Sequence, residues 1–136
     1  MIFTQYKIGS TMTKAELKPI INERIAQQLD VLRNNPWKNL GKGTSTIIGL
    51  TKKSIVYQRG NSKLYYSIDV FLETINRFNR YGAVQSKDLK AMDNEGDYYK
   101  NKPCHCTFFM ILMEYLFGEK VKLNRKIPSS IEFDVE

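Results

Sequence analysis

Cys104-His105-Cys106 places two thiols around the only histidine of the chain, a set of residue types that invites a zinc or redox reading. Structural zinc takes four ligands and usually has two or more residues between paired cysteines. No second Cys/His cluster exists to complete such a set, so no metal is expected, and the two thiols are read as small inert packing groups. Glu16-Leu17-Lys18 and Asp88-Leu89-Lys90 match the acid-x-Lys arrangement that holds a metal-bound water for hydrolysis. Fourteen acids and fifteen lysines in 136 residues generate about 1.5 such triplets by chance. Both triplets also fall on expected helices, where that chemistry needs a strand. Asp93, Glu95 and Asp97 span too short a run for a calcium loop, and a lone histidine with no base beside either thiol leaves a hydrolase incomplete. No catalytic residue, enzymatic activity or cofactor is therefore expected.

Leu40-Gly41-Lys42-Gly43-Thr44-Ser45-Thr46 has the glycines, lysine and hydroxyls of a phosphate-binding loop. Its spacing differs from that of the nucleotide-binding motif, and a strand rather than a helix follows, so no helix amino end would face a phosphate. The lysine belongs to a larger feature. Between Asp30 and Asp69 there is no acidic residue, while Arg33, Lys38, Lys42, Lys52, Lys53, Arg59 and Lys63 all fall inside. These bases match the chain's net charge of +7, so the remaining residues cancel. A one-sided field of this kind attracts phosphates and other polyanions.

The elements that must carry these charges can be read from periodicity. Thr13-Lys14-Ala15-Glu16 forms a capping box, and Leu17, Ile20, Ile21, Ile25, Leu29 and Leu32 predict an amphipathic helix to about Asn34. Pro19 should kink that helix or mark its true start. Thr44 to Leu50, Ser54 to Arg59 and Ser62 to Tyr66 predict a three-stranded antiparallel meander, with Lys52-Lys53 at one reversal and Gly60-Asn61 at the other. The two reversals are expected to reach a groove or partner together. Ser67 should cap a helix whose buried stripe is Ile68, Phe71, Leu72, Ile75 and Phe78, ending near Gly82 and covering the sheet. Ser86 should cap a short helix to Met92, and Asp93 to Pro103 reads as a polar loop. Thr107 to Phe117 is apolar nearly all round and predicts an enclosed helix. Short strands are expected at the two termini, over Met1 to Ser10 and where Ile131, Phe133 and Val135 alternate with Glu132, Asp134 and Glu136. The whole chain, 1–136, is taken as one α+β domain of helices covering a meander.

In element order the hairpin resembles the wing of a winged helix-turn-helix, with the two later helices as its helical pair. The resemblance implies nucleic-acid binding, but the second helix of that pair would be Cys106-Thr107-Phe108-Phe109-Met110-Ile111-Leu112, which lacks the polar side chains that read base edges. Contact is therefore expected from Arg33, Trp37, Lys38, Lys42, Lys52, Lys53, Arg59 and Lys63, mainly to backbone phosphates and with weak sequence readout. A duplex is the preferred partner over a single strand. Aromatics lie among the charges, at Trp37, Tyr57 and Tyr65-Tyr66; most are expected to pack in the core, although an exposed one would stack on an unpaired base. The rival expectation is an inhibitor or adaptor, such as one from a mobile element, that docks the basic face on an acidic protein surface. The acidic terminal strand offers a homodimer by strand addition. No apolar run approaches the roughly 20 residues of a membrane-spanning helix, and the amino end has no secretory layout. A cytoplasmic, non-membrane protein is expected, in keeping with cysteines too close in sequence to form a disulfide framework.

Overall fold

Thr13 opens the first helix as a capping box requires: its hydroxyl accepts from the Glu16 backbone N–H at 3.2 Å, and the Glu16 carboxylate accepts from the Thr13 N–H at 3.1 Å. A computed structural model of the chain describes residues 13–78, 82–92, 98–118 and 120–133. Its backbone is α+β, as the sequence predicts, and its contacts divide it into two units. One comprises Thr11–Glu73; the other contains Thr74–Glu136. The strand expected over Met1 to Ser10 lies outside the described residues, as do Asp93 to Asp97 and Asp134 to Glu136.

In the first unit, α1 (Lys14–Gln27) runs through Pro19. Ala15, whose carbonyl loses its helical donor there, is exposed, so water can satisfy it. The expected single helix stops instead at Gln28, whose φ of −104° and ψ of 7° leave the helical region and whose N–H turns back to Ile25. A short second helix, α2 (Leu29–Arg33), follows. Ile21, Ile25 and Leu32 are buried, while Leu17, Ile20 and Leu29 are only partly so. Both helices pack against β2.

The meander has four strands rather than three, in the order β1 (Trp37–Lys38), β2 (Thr44–Leu50), β3 (Ser54–Arg59) and β4 (Ser62–Ser67), all antiparallel. The extra edge strand is two residues long, too short to display any alternation. A bulge at Ile48 interrupts the β2–β3 register between Ile47 and Gly49. Ser67 caps α3 (Ile68–Phe78) as expected, its hydroxyl accepting from the Val70 N–H at 3.2 Å. Lys18 on α1 reaches Asp69 at 3.2 Å, and the Phe71 ring meets Tyr66 edge-on at 6.0 Å.

The second unit is organised on α6 (Cys104–Phe117), in which His105, Cys106, Phe108 to Met113, Leu116 and Phe117 are buried. Against it pack α4 (Ser86–Lys90), α5 (Tyr98–Asn101) and the strands β6 (Val121–Asn124) and β7 (Ser130–Phe133). The N-cap of α4 is Gln85 rather than Ser86, because the Asp88 carboxylate takes the Gln85 N–H at 2.8 Å. Tyr98 to Asn101 is helical where a loop is predicted: Tyr99 turns inward, meets Phe109 edge-on and shares a 2.7 Å hydrogen bond with Thr74. With such an inward anchor a polar-looking segment folds. The second sheet has the order β5 (Ala83–Gln85), β7, β6. The carboxyl-terminal strand is thus its middle member, paired on both sides. Strand addition at β7 would need an edge that β5 and β6 already occupy.

His105 is 2% exposed, stacked on Tyr98 with ring centroids 4.8 Å apart. Burial, reinforced by the nearby Lys102 charge, lowers its pKa from 6.5 to about 4. The folded form holds the ring neutral, whereas the unfolded chain takes up a proton below about pH 6.5. Stability contributed by the neutral ring is complete above that pH and declines toward pH 4, by roughly 2 kcal/mol. Denaturant melts from pH 7 to 4.5 should show His105→Gln losing that component of the slope; an unchanged slope would mean the ring does not titrate as a buried group.

Candidate functional site

Strand pairing sorts the acid-free stretch onto two faces. Directly opposed residues of an antiparallel pair point the same way, and so do alternate residues of one strand. The pairs Trp37↔Ser45, Ser45↔Arg59, Ile47↔Tyr57, Tyr57↔Leu64, Ile55↔Tyr66 and Arg59↔Ser62 define one face. Ser45, Ile47, Ile55, Tyr57 and Tyr66 there are buried. The pairs Lys38↔Thr44, Thr46↔Gln58, Gln58↔Lys63 and Val56↔Tyr65 define the other. On it Lys38, Thr44, Gln58, Lys63 and Tyr65 are exposed and Thr46 is half-buried. Only toward the bulge does this second face close, where Val56 is buried and Ser54 and Ser67 are partly covered.

The turns distribute the remaining charge along the sheet. Lys42 sits in the β1–β2 turn, which is fastened from within by Asn39: its side chain donates to the Lys42 carbonyl at 3.1 Å and accepts from the Ser45 hydroxyl at 2.5 Å. The Asn39 N–H donates to the Gly43 carbonyl at 3.0 Å, and Gly43 has a φ of +81° that a side chain would strain. Gly60, with a φ of +59°, makes the β3–β4 turn at this same end, and the Gln58 amide donates to its carbonyl. Lys52 and Lys53 are exposed at the opposite end, in a turn where the Thr51 hydroxyl accepts from the N–H groups of Lys53 and Ser54.

Lys38, Lys42, Arg59 and Lys63 therefore gather at one end of the sheet, with Arg59 half-buried on the inner face beside Ser45 and Ser62. Lys52 and Lys53 stand away from them. The six residues of β3 separate the two reversals by about 20 Å, so the expectation that both reach one groove together fails, because successive turns of a meander lie at opposite ends. Arg33 is engaged elsewhere: its Nε donates to the Ile48 carbonyl at the bulge at 2.9 Å, and its guanidinium lies 3.8 Å from Asp30. Trp37 is half-buried on the inner face. Tyr65 stands out as the exposed member of the Tyr65-Tyr66 pair, at 51% against 0% for Tyr66. Its parity with Lys63 was the available signal; Thr44, Thr46 and Gln58, which share its face, carry no charge to draw notice.

The other chemistry-bearing sets are built into the fold. The Cys106 thiol is buried and pushed up to about 11 by that burial, which holds it as an unreactive thiol. Glu16 and Asp88 of the acid-x-Lys triplets both accept backbone N–H groups at helix starts. Among the described residues no three His, Cys, Asp or Glu side chains converge as a metal site.

Asn39 is 2% exposed and its amide joins the turn to β2. Asn39→Ala should lower stability by about 1–3 kcal/mol by leaving those groups unpaired. It should also speed amide hydrogen exchange around Gly43. A midpoint in denaturant equal to that of the wild type would show the turn to be held by other means.

No protein-family model matches the chain, and neither the curated proteins nor the solved structures provide a significant match.

Proposed function

We propose that this chain is a non-catalytic, cytoplasmic nucleic-acid-binding protein, an accessory or regulatory factor that grips phosphates with weak sequence preference through the basic end of its four-stranded sheet. The observation that carries the reading is the gathering of Lys38, Lys42, Arg59 and Lys63 at one sheet end with no acidic residue between Asp30 and Asp69. Cations so grouped neutralise neighbouring phosphates and release condensed counterions. The turn chemistry supports it too, since Asn39, Gly43 and Gly60 fix the backbone from which the charges project. Both cysteines are free thiols, in keeping with a reducing compartment. No helix among the described residues is long and apolar enough to cross a membrane.

Binding to labelled nucleic acid should weaken with salt at a slope of about −3 in log K against log concentration, from three or four neutralised phosphates. Paired reversal of Lys42 and Lys63 to Glu should weaken binding at low salt by roughly tenfold or more. Reversal of Lys52 and Lys53, at the far end of the sheet, should act less, and Lys126→Glu, in the second unit, should barely act. Equal losses from all three would reduce the effect to net charge, and no binding at low salt would remove the proposal. A protein captured from the source cell that persists after nuclease treatment would point instead to an acidic protein partner.

A further inference from the structure

We infer that the outward face of the four-stranded sheet binds an unpaired nucleic-acid strand, with a base stacked on Tyr65, an adjacent phosphate held by Lys63, and phosphates farther along the strand met by Lys38 and Lys42. The inference rests on the nucleic-acid reading above and adds the form of the ligand. Three large apolar side chains are exposed among the described residues, Val31, Tyr65 and Ile127, and only Tyr65 is aromatic. Core demand does not explain its position, since the adjacent Tyr66 and the cross-sheet Tyr57 fill the buried face. On its Lys63 and Gln58 side the face is exposed. On the other side the row across the strands runs Tyr65, Val56, Gly49; Val56 is buried, while a Cβ built on Gly49 would meet no atom within 4 Å.

The neighbours of Tyr65 supply what a single strand offers partners for. Lys63, two residues before it on the same face, lies beside Gln58, whose amide is held at Gly60, and Thr46 and Thr44 continue the polar surface to Lys38. Four strands make a face about 14 Å across, enough for two or three splayed nucleotides. Every base has a π-face, so stacking on a tyrosine holds a strand without reading its sequence. A duplex hides those faces within its stack and admits a protruding element into its groove. Here the turns project from opposite ends of the sheet, and the exposed aromatic lies on a broad surface between them. The preference expected for a duplex is thereby turned toward an unpaired strand.

The test is fluorescence anisotropy at low salt with the full chain and four probes: oligo-dT of about 15 nucleotides, oligo-U of equal length, an abasic strand of equal length, and a duplex. Wild-type protein should bind oligo-dT and oligo-U more tightly than the abasic strand, by about 5- to 100-fold, the effect of one stacked base. Tyr65→Ala should abolish that difference while leaving abasic and duplex binding within about twofold, and Tyr65→Phe should restore it. Equal binding of oligo-dT and the abasic strand by wild type overturns the inference even if a variant fails to fold, as does tighter binding of the duplex. In either case salt-dependent binding of the polyanions would leave the nucleic-acid reading standing. Failure to bind any probe would remove both.

Discussion

A pleated strand must send successive side chains to opposite sides, and the site depends on that constraint more than on any single contact. Ile47, Ile55, Tyr57 and Tyr66 are buried on one side of the first unit's sheet, and the register between β2, β3 and β4 then leaves no choice for their neighbours. Thr46, Gln58, Lys63 and Tyr65 face outward because the alternate positions are taken by the core. A slip of one residue in the β2–β3 or β3–β4 pairing would put a lysine inside and a tyrosine or isoleucine outside, so the apolar packing that stabilises the sheet also selects the surface chemistry.

The same constraint explains how much could be read beforehand. Thr44–Leu50 and Ser54–Arg59 were legible to the residue because β-branched and aromatic residues cluster there and turn residues bound them. The enclosed helix was equally plain, since a segment apolar on every side has only the interior to occupy; it begins at Cys104, earlier than Thr107, because Cys104 to Cys106 add a turn whose burial ordinary periodicity does not reveal. Trp37–Lys38 left no trace, as two residues show no period and their pairing depends on a side-chain bond from Asn39. The stop at Gln28 was hidden for the opposite reason: the apolar stripe continues across it, so the pattern reads as one helix.

At the site itself, composition located the charges but not their arrangement. The acid-free stretch can be counted directly, yet which cations gather depends on which ends of the strands the turns occupy. Arg33 looked like the other bases until the bulge carbonyl of Ile48 accounted for its Nε. Tyr65 and Tyr66 are chemically identical in the sequence, and only their parity against Lys63 separates a core ring from a surface ring. The resemblance to a wing and helical pair rested on element order; the burial of α6 among α4, α5, β6 and β7 leaves it no polar face to offer a groove.

The connectivity of the two sheets also bears on assembly in time. Each strand of the first sheet pairs with its neighbour in sequence across a short turn, so forming it closes only small loops and costs little chain entropy at each step. The second sheet must join Ala83 to Glu132 across most of its unit before β7 acquires both partners, a non-local closure of the kind that slows folding. The meander, and the face it carries, is accordingly the sheet whose closure costs the chain less entropy, whereas the pairing of β5 with β7 carries the larger cost.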